Sequence, residues 1–313
     1  MAGGASGPRR VPVRGHAGRI ALVLVGGGLS ALLLLLPLAA IFRMAFADGW
    51  DAYVGYLSEP STRHAIGLTL LAAAIAVPIN TVFGVTAAWA ITKFDFRGRK
   101  LLISLIELPL SISPIVIGVA YLFLFGMQGL FGPWLAEHGI RLVFTVPAIV
   151  IVTVIVTAPY VFRELLPVMM AQGTQNEQAA ITLGASGWQT FRRVTLPGIK
   201  WALIYGVSMS FARCLGEFGT VAVVSGSIRG QTNTMTLQIE LLMQDRINTG
   251  AFAVASTLTL LAVLTLLVKL LVEAREARSQ RLAISTEDAS EDAPAASPPA
   301  PTRATLSPRP EAP

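Results

Sequence analysis

The sequence predicts an all-α polytopic membrane protein with six transmembrane helices and both termini in the cytoplasm. Three observations carry that expectation. Charged residues make up only 13 % of the 313-residue chain and hydrophobic ones 53 %, with a mean hydropathy of +0.64, whereas ordinary globular proteins carry about 25 % charged residues. The apolar residues gather in six long runs, each near the roughly 20 residues needed to cross a bilayer. Lysine and arginine concentrate in every second connection, which is the pattern that orients a membrane protein. So little charge could not cover a soluble particle of this length, and continuous apolar runs exclude a β-barrel, whose strands alternate.

The runs follow one another along the chain. Ile20 to Phe42 is uncharged up to Arg43. It follows a basic stretch and precedes Ala45-Phe46-Ala47, which resembles a signal cleavage site. A signal's apolar core spans about 7–15 residues, so this longer run is read as a retained helix. Ala65 to Thr92 is the second span, interrupted by Pro78 and Asn80. Leu101 to Phe125 is the third and contains Glu107, Pro109 and Pro114. Leu142 to Phe162 is the fourth; Ile199 to Val224, with Lys200, Arg213 and Glu217, is the fifth; Gly250 to Val268, extending to Val272, is the sixth.

The connections alternate in charge. Arg9, Arg10, Arg14 and Arg19 precede the first span, and Lys93, Arg97, Arg99 and Lys100 join the second to the third. Arg163, Arg192, Arg193 and Lys200 join the fourth to the fifth, and Lys269, Arg275, Arg278 and Arg281 follow the sixth. The intervening connections are poor in cations or balanced by acids. The net charge of +6 therefore reflects topology and not nucleic-acid binding. A single cysteine, Cys214, excludes an intramolecular disulfide, and three scattered histidines offer neither a metal cluster nor a catalytic constellation. The Ala/Pro/Ser-rich segment from about residue 283 to the end cannot bury a core and is expected to be disordered.

The longest cytoplasmic connection is too long for an idle linker. Thr174-Gln175-Asn176-Glu177 fits a capping box, in which Glu177 would reach back to the threonine's backbone amide. The helix it opens should stop at Gly184, which tolerates a left-handed C-cap. Ser186-Gly187-Trp188-Gln189 fits a second box. Its helix should end before Leu196-Pro197, because the residue before a proline is disfavoured in the helical region. Ala179, Ala180, Leu183, Trp188 and Phe191 give the pair an apolar face. Two readings fit that face: helices resting on lipid headgroups, or a docking knob for a soluble partner, with aromatic anchors and Arg192-Arg193 to steer it.

The run Gln178-Ala179-Ala180-Ile181-Thr182-Leu183-Gly184, followed nine residues later by Val194-Thr195-Leu196-Pro197, resembles the EAA motif of bacterial ABC importer permeases. Gln178 stands where the motif has glutamate, with Glu177 one residue earlier, and Val194 replaces isoleucine. Phe211 to Gly219 is similar to a signature shared by molybdate- and sulfate-type permeases. Ser225 to Thr234, Leu237 to Glu240 and Ala251 to Ser256 are most similar to the W-type subunit of sulfate/thiosulfate importers. The resemblance implies a type I permease fold over residues 20–275, between a basic N-terminal tail (1–19) and a charged, then disordered, C-terminal tail (276–313). It implies coupling helices at about 174–197, with Glu177, Gln178, Ala179, Ala180, Gly184, Leu196 and Pro197 as the ATPase-coupling motif.

Further expectations follow from the same likeness. Two ATP-binding cassette subunits would carry ATP and Mg, since the sequence lacks a phosphate-cradling G-x-x-x-x-G-K-[ST] loop. A second, related permease subunit and an extracytoplasmic sulfate-binding protein would complete the assembly in the bacterial inner membrane. This chain would be no enzyme and bind no cofactor or metal. Molybdate is the alternative cargo, and a self-powered secondary transporter, which often shows internal repeats, is the weaker alternative class.

Charges inside the spans complete the reading. Arg213 and Glu217, four apart, would share one helix face. They form either an internal pair that pins the fifth span, the favoured reading, or a transient partner for a passing dianion. Glu107 is expected to pair with a cation among Lys93–Lys100, Arg163 or Arg193. Ser111 and Ser113 would re-satisfy carbonyls released by Pro109 and Pro114, or donate to an oxyanion. Ser225–Thr234 reads as an outward-facing polar segment: an outer gate or a meeting point for the binding protein, or equally an ordinary loop.

Overall fold

The structure, a computed structural model, describes residues 16–291. It contains thirteen α-helices, and no strand occurs among the described residues. In order they are α1 (His16–Ala45), α2 (Trp50–Ser58), α3 (Pro60–Lys93), α4 (Arg99–Ser111), α5 (Pro114–Phe125), α6 (Gly132–Glu137) and α7 (Val146–Gln172). There follow α8 (Gln175–Thr182), α9 (Gly187–Thr190), a π turn (Phe191–Thr195), α10 (Leu196–Leu215), α11 (Gly219–Val224), α12 (Met235–Gln244) and α13 (Asn248–Glu291).

Four helices are long and apolar enough to cross a membrane: α1, α3, α7 and the Asn248–Leu271 part of α13. The third predicted run is α4 plus α5, bent by 107°; counted as one span it gives a fifth. Pro114 heads α5 and forces the preceding Ser113 into extended backbone. The fifth predicted run is likewise broken, at Gly216–Phe218 between α10 and α11. No proline stands there; Gly216 and Gly219 mark the break. α7 overruns its predicted end by ten residues, carrying Arg163, Glu164 and Pro167 with it. α13 also runs on to Glu291, past the point where composition predicted loss of structure; residues 292–313 and 1–15 lie outside the described residues.

The core is the junction of α3, α7 and α10. One apolar cluster joins Val85, Ile91, Val161, Phe162, Leu165 and Ile199, and another joins Leu68, Ile149, Val152, Val221 and Leu237. Close approach at the junction depends on glycine. A Cβ on Gly84 of α3 would lie 2.8 Å from Val161 Cβ of α7, and one on Gly206 of α10 would lie 3.2 Å from Val161 Cα. α13 packs against α10, α12 and α1, and α5 against α11.

Candidate coupling segment and intramembrane ion pair

The segment between α7 and α10 is a folded hairpin. α7 ends at Gly173, whose φ of 63° is available to glycine at little cost. α8 then runs to Thr182 and closes as expected at Gly184, with φ 86°. The Gly184 amide donates to Ile181 O at 2.9 Å and the Ala185 amide to Ala180 O at 3.0 Å, the paired bonds of a Schellman motif. The second capping box also forms: the Gln189 amide donates to Ser186 Oγ at 3.3 Å and the Ser186 amide to Gln189 Oε1 at 2.9 Å.

The first capping box does not form. Thr174 makes no side-chain cap bond; Gln178 Nε2 donates to its Oγ1 at 3.2 Å instead. Glu177 is drawn away by partners distant in sequence. Its Oε2 lies 2.5 Å from Lys93 Nζ, and its Oε1 accepts from Thr195 Oγ1 at 2.8 Å. A carboxylate gains more from a charge-assisted pair than from a neutral amide. The expected stop before Pro197 is also absent. Leu196 is helical, at φ −63° and ψ −43°, and its amide donates to Phe191 O across the π turn. That wider turn gives the proline ring room at the start of α10, where its missing N–H costs little.

The hairpin presents an apolar tip. Leu183 is 89 % and Trp188 68 % exposed, and Ile181 is exposed beside them. Gln178 and Ala179 are exposed too, and Ala180 is half-buried. Trp188 stacks on Phe191 at 5.7 Å, and Phe191 meets Trp89 of α3 edge-on at 6.0 Å. The tip is thus braced from below while its outer surface stays open. Leu196 is half-buried and Pro197 exposed at the root of α10.

At the other end of α10, Arg213 and Glu217 pair at 2.7 Å, with the arginine side chain 27 % exposed and the glutamate 2 %. Glu217 Oε1 also accepts the Thr220 amide at 3.0 Å, and its backbone carbonyl accepts from Thr236 Oγ1 at 2.8 Å. The pair therefore closes the break between α10 and α11. Gly219 sets that break directly against Pro114 and Ile115 at the α4–α5 bend. Ser111 and Ser113, exposed at the bend, make no side-chain hydrogen bonds among the described residues, so they do not re-satisfy the released carbonyls. Glu107 forms no ion pair within the described residues either; among the cations expected to meet it, Lys93 pairs with Glu177 and Arg99 with Asp95.

Two polar networks were not legible in advance. Ser225–Thr234 is a turn segment with Ile228–Gln231 exposed and its two ends, Ser225 and Thr232, Asn233 and Thr234, buried. Thr232 Oγ1 donates to Ser225 O at 2.7 Å, and Asn233 donates to Gln238. Gln238 in turn donates to Ser61 at 3.2 Å and Thr62 at 3.3 Å. Deep in the bundle, Asn80 Nδ2 donates to Thr157 Oγ1 at 2.7 Å, and Thr157 lies 3.4 Å from Cys214 Sγ. Asn80 inside an apolar run was the one sequence signal for it.

Comparison with known proteins agrees with this architecture. Residues 80–280 match the family described as binding-protein-dependent transport system inner membrane component. The chain is 49 % identical over 270 residues to the sulfate transport system permease protein CysW of Escherichia coli strain K12, covering 86 % of this chain and 93 % of that one. It is 37 % identical over 235 residues to CysT, another sulfate transport system permease protein of the same strain, covering 75 % and 85 %. The fold matches a chain of the bacterial alginate ABC transporter, solved with its alginate pentasaccharide-bound periplasmic protein, with a TM-score of 0.67 at 18 % identity over 83 % of this chain and 94 % of that one. The chain belongs to the inner-membrane components of binding-protein-dependent transport systems, the permeases of ABC transporters.

Proposed function

We propose that this chain is the W-type permease subunit of an ATP-driven importer of sulfate and thiosulfate. In this reading it spans the bacterial inner membrane six times, α4–α5 and α10–α11 each counting as one broken span, with both termini in the cytoplasm. It pairs with a CysT-like second permease, receives its anion from an extracytoplasmic sulfate-binding protein, and is driven by two ATP-binding cassette subunits that hold ATP and Mg. It breaks no bond and binds no cofactor itself.

The observation that carries the reading is the hairpin. Three large apolar side chains, Ile181, Leu183 and Trp188, stand in the open on a short, well-capped structure. Exposed aromatic and aliphatic anchors of this kind typify interface hot spots, and Arg192 and Arg193 beside them suit an acidic rim on the partner. The EAA-like residues Gln178, Ala179, Ala180 and Gly184 form the same hairpin, and the similarity to CysW and CysT supplies the cargo. Arg213 and Glu217 hold the break in span five, and their mutual neutralisation supports a structural role ahead of anion contact.

The test places a charge at the tip. Ala180→Glu leaves membrane insertion intact and abolishes ATP-coupled sulfate uptake. Normal uptake by this variant refutes the coupling assignment. ATP hydrolysis by the co-purified complex is stimulated by sulfate delivered on the binding protein; stimulation by molybdate alone would move the cargo assignment.

A further inference from the structure

We infer that Lys93, which lies outside the coupling motif, is the positioning residue that ties α8, the first helix of the hairpin, to the bundle and lets its motion reach α3 and α7. The inference rests on the permease reading above. α8 has no buried residue, and its principal packing partners are α9 and the π turn, which belong to the same hairpin. Apolar packing therefore does not hold α8 to α3. A polar node does.

Lys93 is the last residue of α3. Its ammonium lies 2.5 Å from Glu177 Oε2, the two side chains being only 10 % and 14 % exposed, and donates to Gly173 O at 2.5 Å. The other carboxylate oxygen of Glu177 accepts from Thr195 at 2.8 Å. Four segments thus meet at one ion pair: the end of α3, the cap of α7, the first turn of α8 and the turn that leads into α10. Each charge also sits where its helix favours it, the cation at the C-terminus of α3 and the carboxylate at the N-terminus of α8. Without the node, α8 would hang from Gly173, a residue with wide backbone freedom, and a push on α8 would be absorbed there. With it, α8 cannot move without carrying α3 and α7.

The experiment uses the whole complex, with both permeases, the ATPase subunits and the sulfate-loaded binding protein, reconstituted in proteoliposomes. Sulfate accumulated and ATP hydrolysed are measured in parallel. Lys93→Met retains ATPase co-purification and hydrolysis, while sulfate transported per ATP falls at least about tenfold, as expected for a largely buried pair that has lost one partner. Lys93→Arg, which keeps the cation, recovers the ratio to within about threefold. Thr195→Val keeps both charges and lowers the ratio by roughly tenfold through loss of one charge-assisted hydrogen bond; it decides the matter if Lys93→Met does not assemble. A wild-type ratio in Lys93→Met, or in Thr195→Val where the first variant fails to assemble, overturns the inference alone. Absence of nucleotide-dependent uptake by the wild-type complex overturns the permease reading and the inference together.

Discussion

Adding one methyl group at Gly84 should loosen the whole bundle. The alanine Cβ would lie 2.8 Å from both Val161 Cβ and Cγ1 and 2.9 Å from the Phe162 amide nitrogen, against an ordinary carbon–carbon contact of about 3.5–4.0 Å. α7 cannot yield, because Gly206 of α10 sits against the other side of Val161, where a Cβ would be 3.2 Å from Val161 Cα. Overpacking of this kind costs about 1–3 kcal/mol. Replacing glycine by alanine also gains about 1 kcal/mol of helix propensity, so a second substitution in the same helix must serve as reference. Gly67 provides it, since a Cβ there meets nothing within 4 Å. The difference between Gly84→Ala and Gly67→Ala removes the propensity gain and leaves the clash, which corresponds to roughly 5–150-fold in the unfolding equilibrium. Cys214, the single cysteine, is 5 % exposed in the same core, so a thiol-reactive dye in detergent reports opening directly. Gly84→Ala should be labelled faster by that factor. Equal labelling of the two variants refutes the packing argument.

Gln238→Leu should remove the acceptor of the buried Asn233 amide, at a cost of about 1–3 kcal/mol; trypsin cleavage after Arg229 in the adjoining segment should then accelerate about fivefold or more, and an unchanged rate counts against the network. Arg213→Gln leaves the Glu217 carboxylate, 2 % exposed, without its cation and should destabilise by about 3–5 kcal/mol. The Arg213→Gln/Glu217→Gln double variant should recover most of that in the same dye assay, whereas additive losses would show that the two side chains act independently.

What could be read in advance follows the range of the interaction concerned. Apolar runs and cation counts identify α1, α3, α7 and α13 because crossing a bilayer depends on composition alone. The Ser186–Gln189 cap and the Gly184 stop were legible because every bond they need lies within a few residues. The Thr174 cap failed for the converse reason: Glu177 has a stronger partner 84 positions earlier in the chain, at Lys93. The bend at Pro114 is marked by the proline itself within the third apolar run, whereas the break at Gly216 carries no such mark, since only the packing of Gly219 on Pro114 reveals it. Ser225–Thr234 reads equally as a gate, a docking point or an ordinary loop; Ile228–Gln231 are exposed, but Ser225, Thr232, Asn233 and Thr234 turn inward, against the usual exposure of polar residues. Here they satisfy one another and Gln238 in the interior, a solution that only the placement of α3 makes possible.

The unbroken passage from the π turn into α10 gives the molecule a crankshaft. From Gly187 to Leu215 the backbone stays helical, so torque applied at Trp188 has no joint in which to dissipate. α10 spans about 30 Å, and its distal end stops at Gly216, inside the Arg213–Glu217 clasp, with Gly219 just beyond it set against Pro114 and Ile115 at the elbow of α4 and α5. A few degrees of twist delivered at one end of α10 would therefore emerge at the other as sideways travel of two apposed elbows.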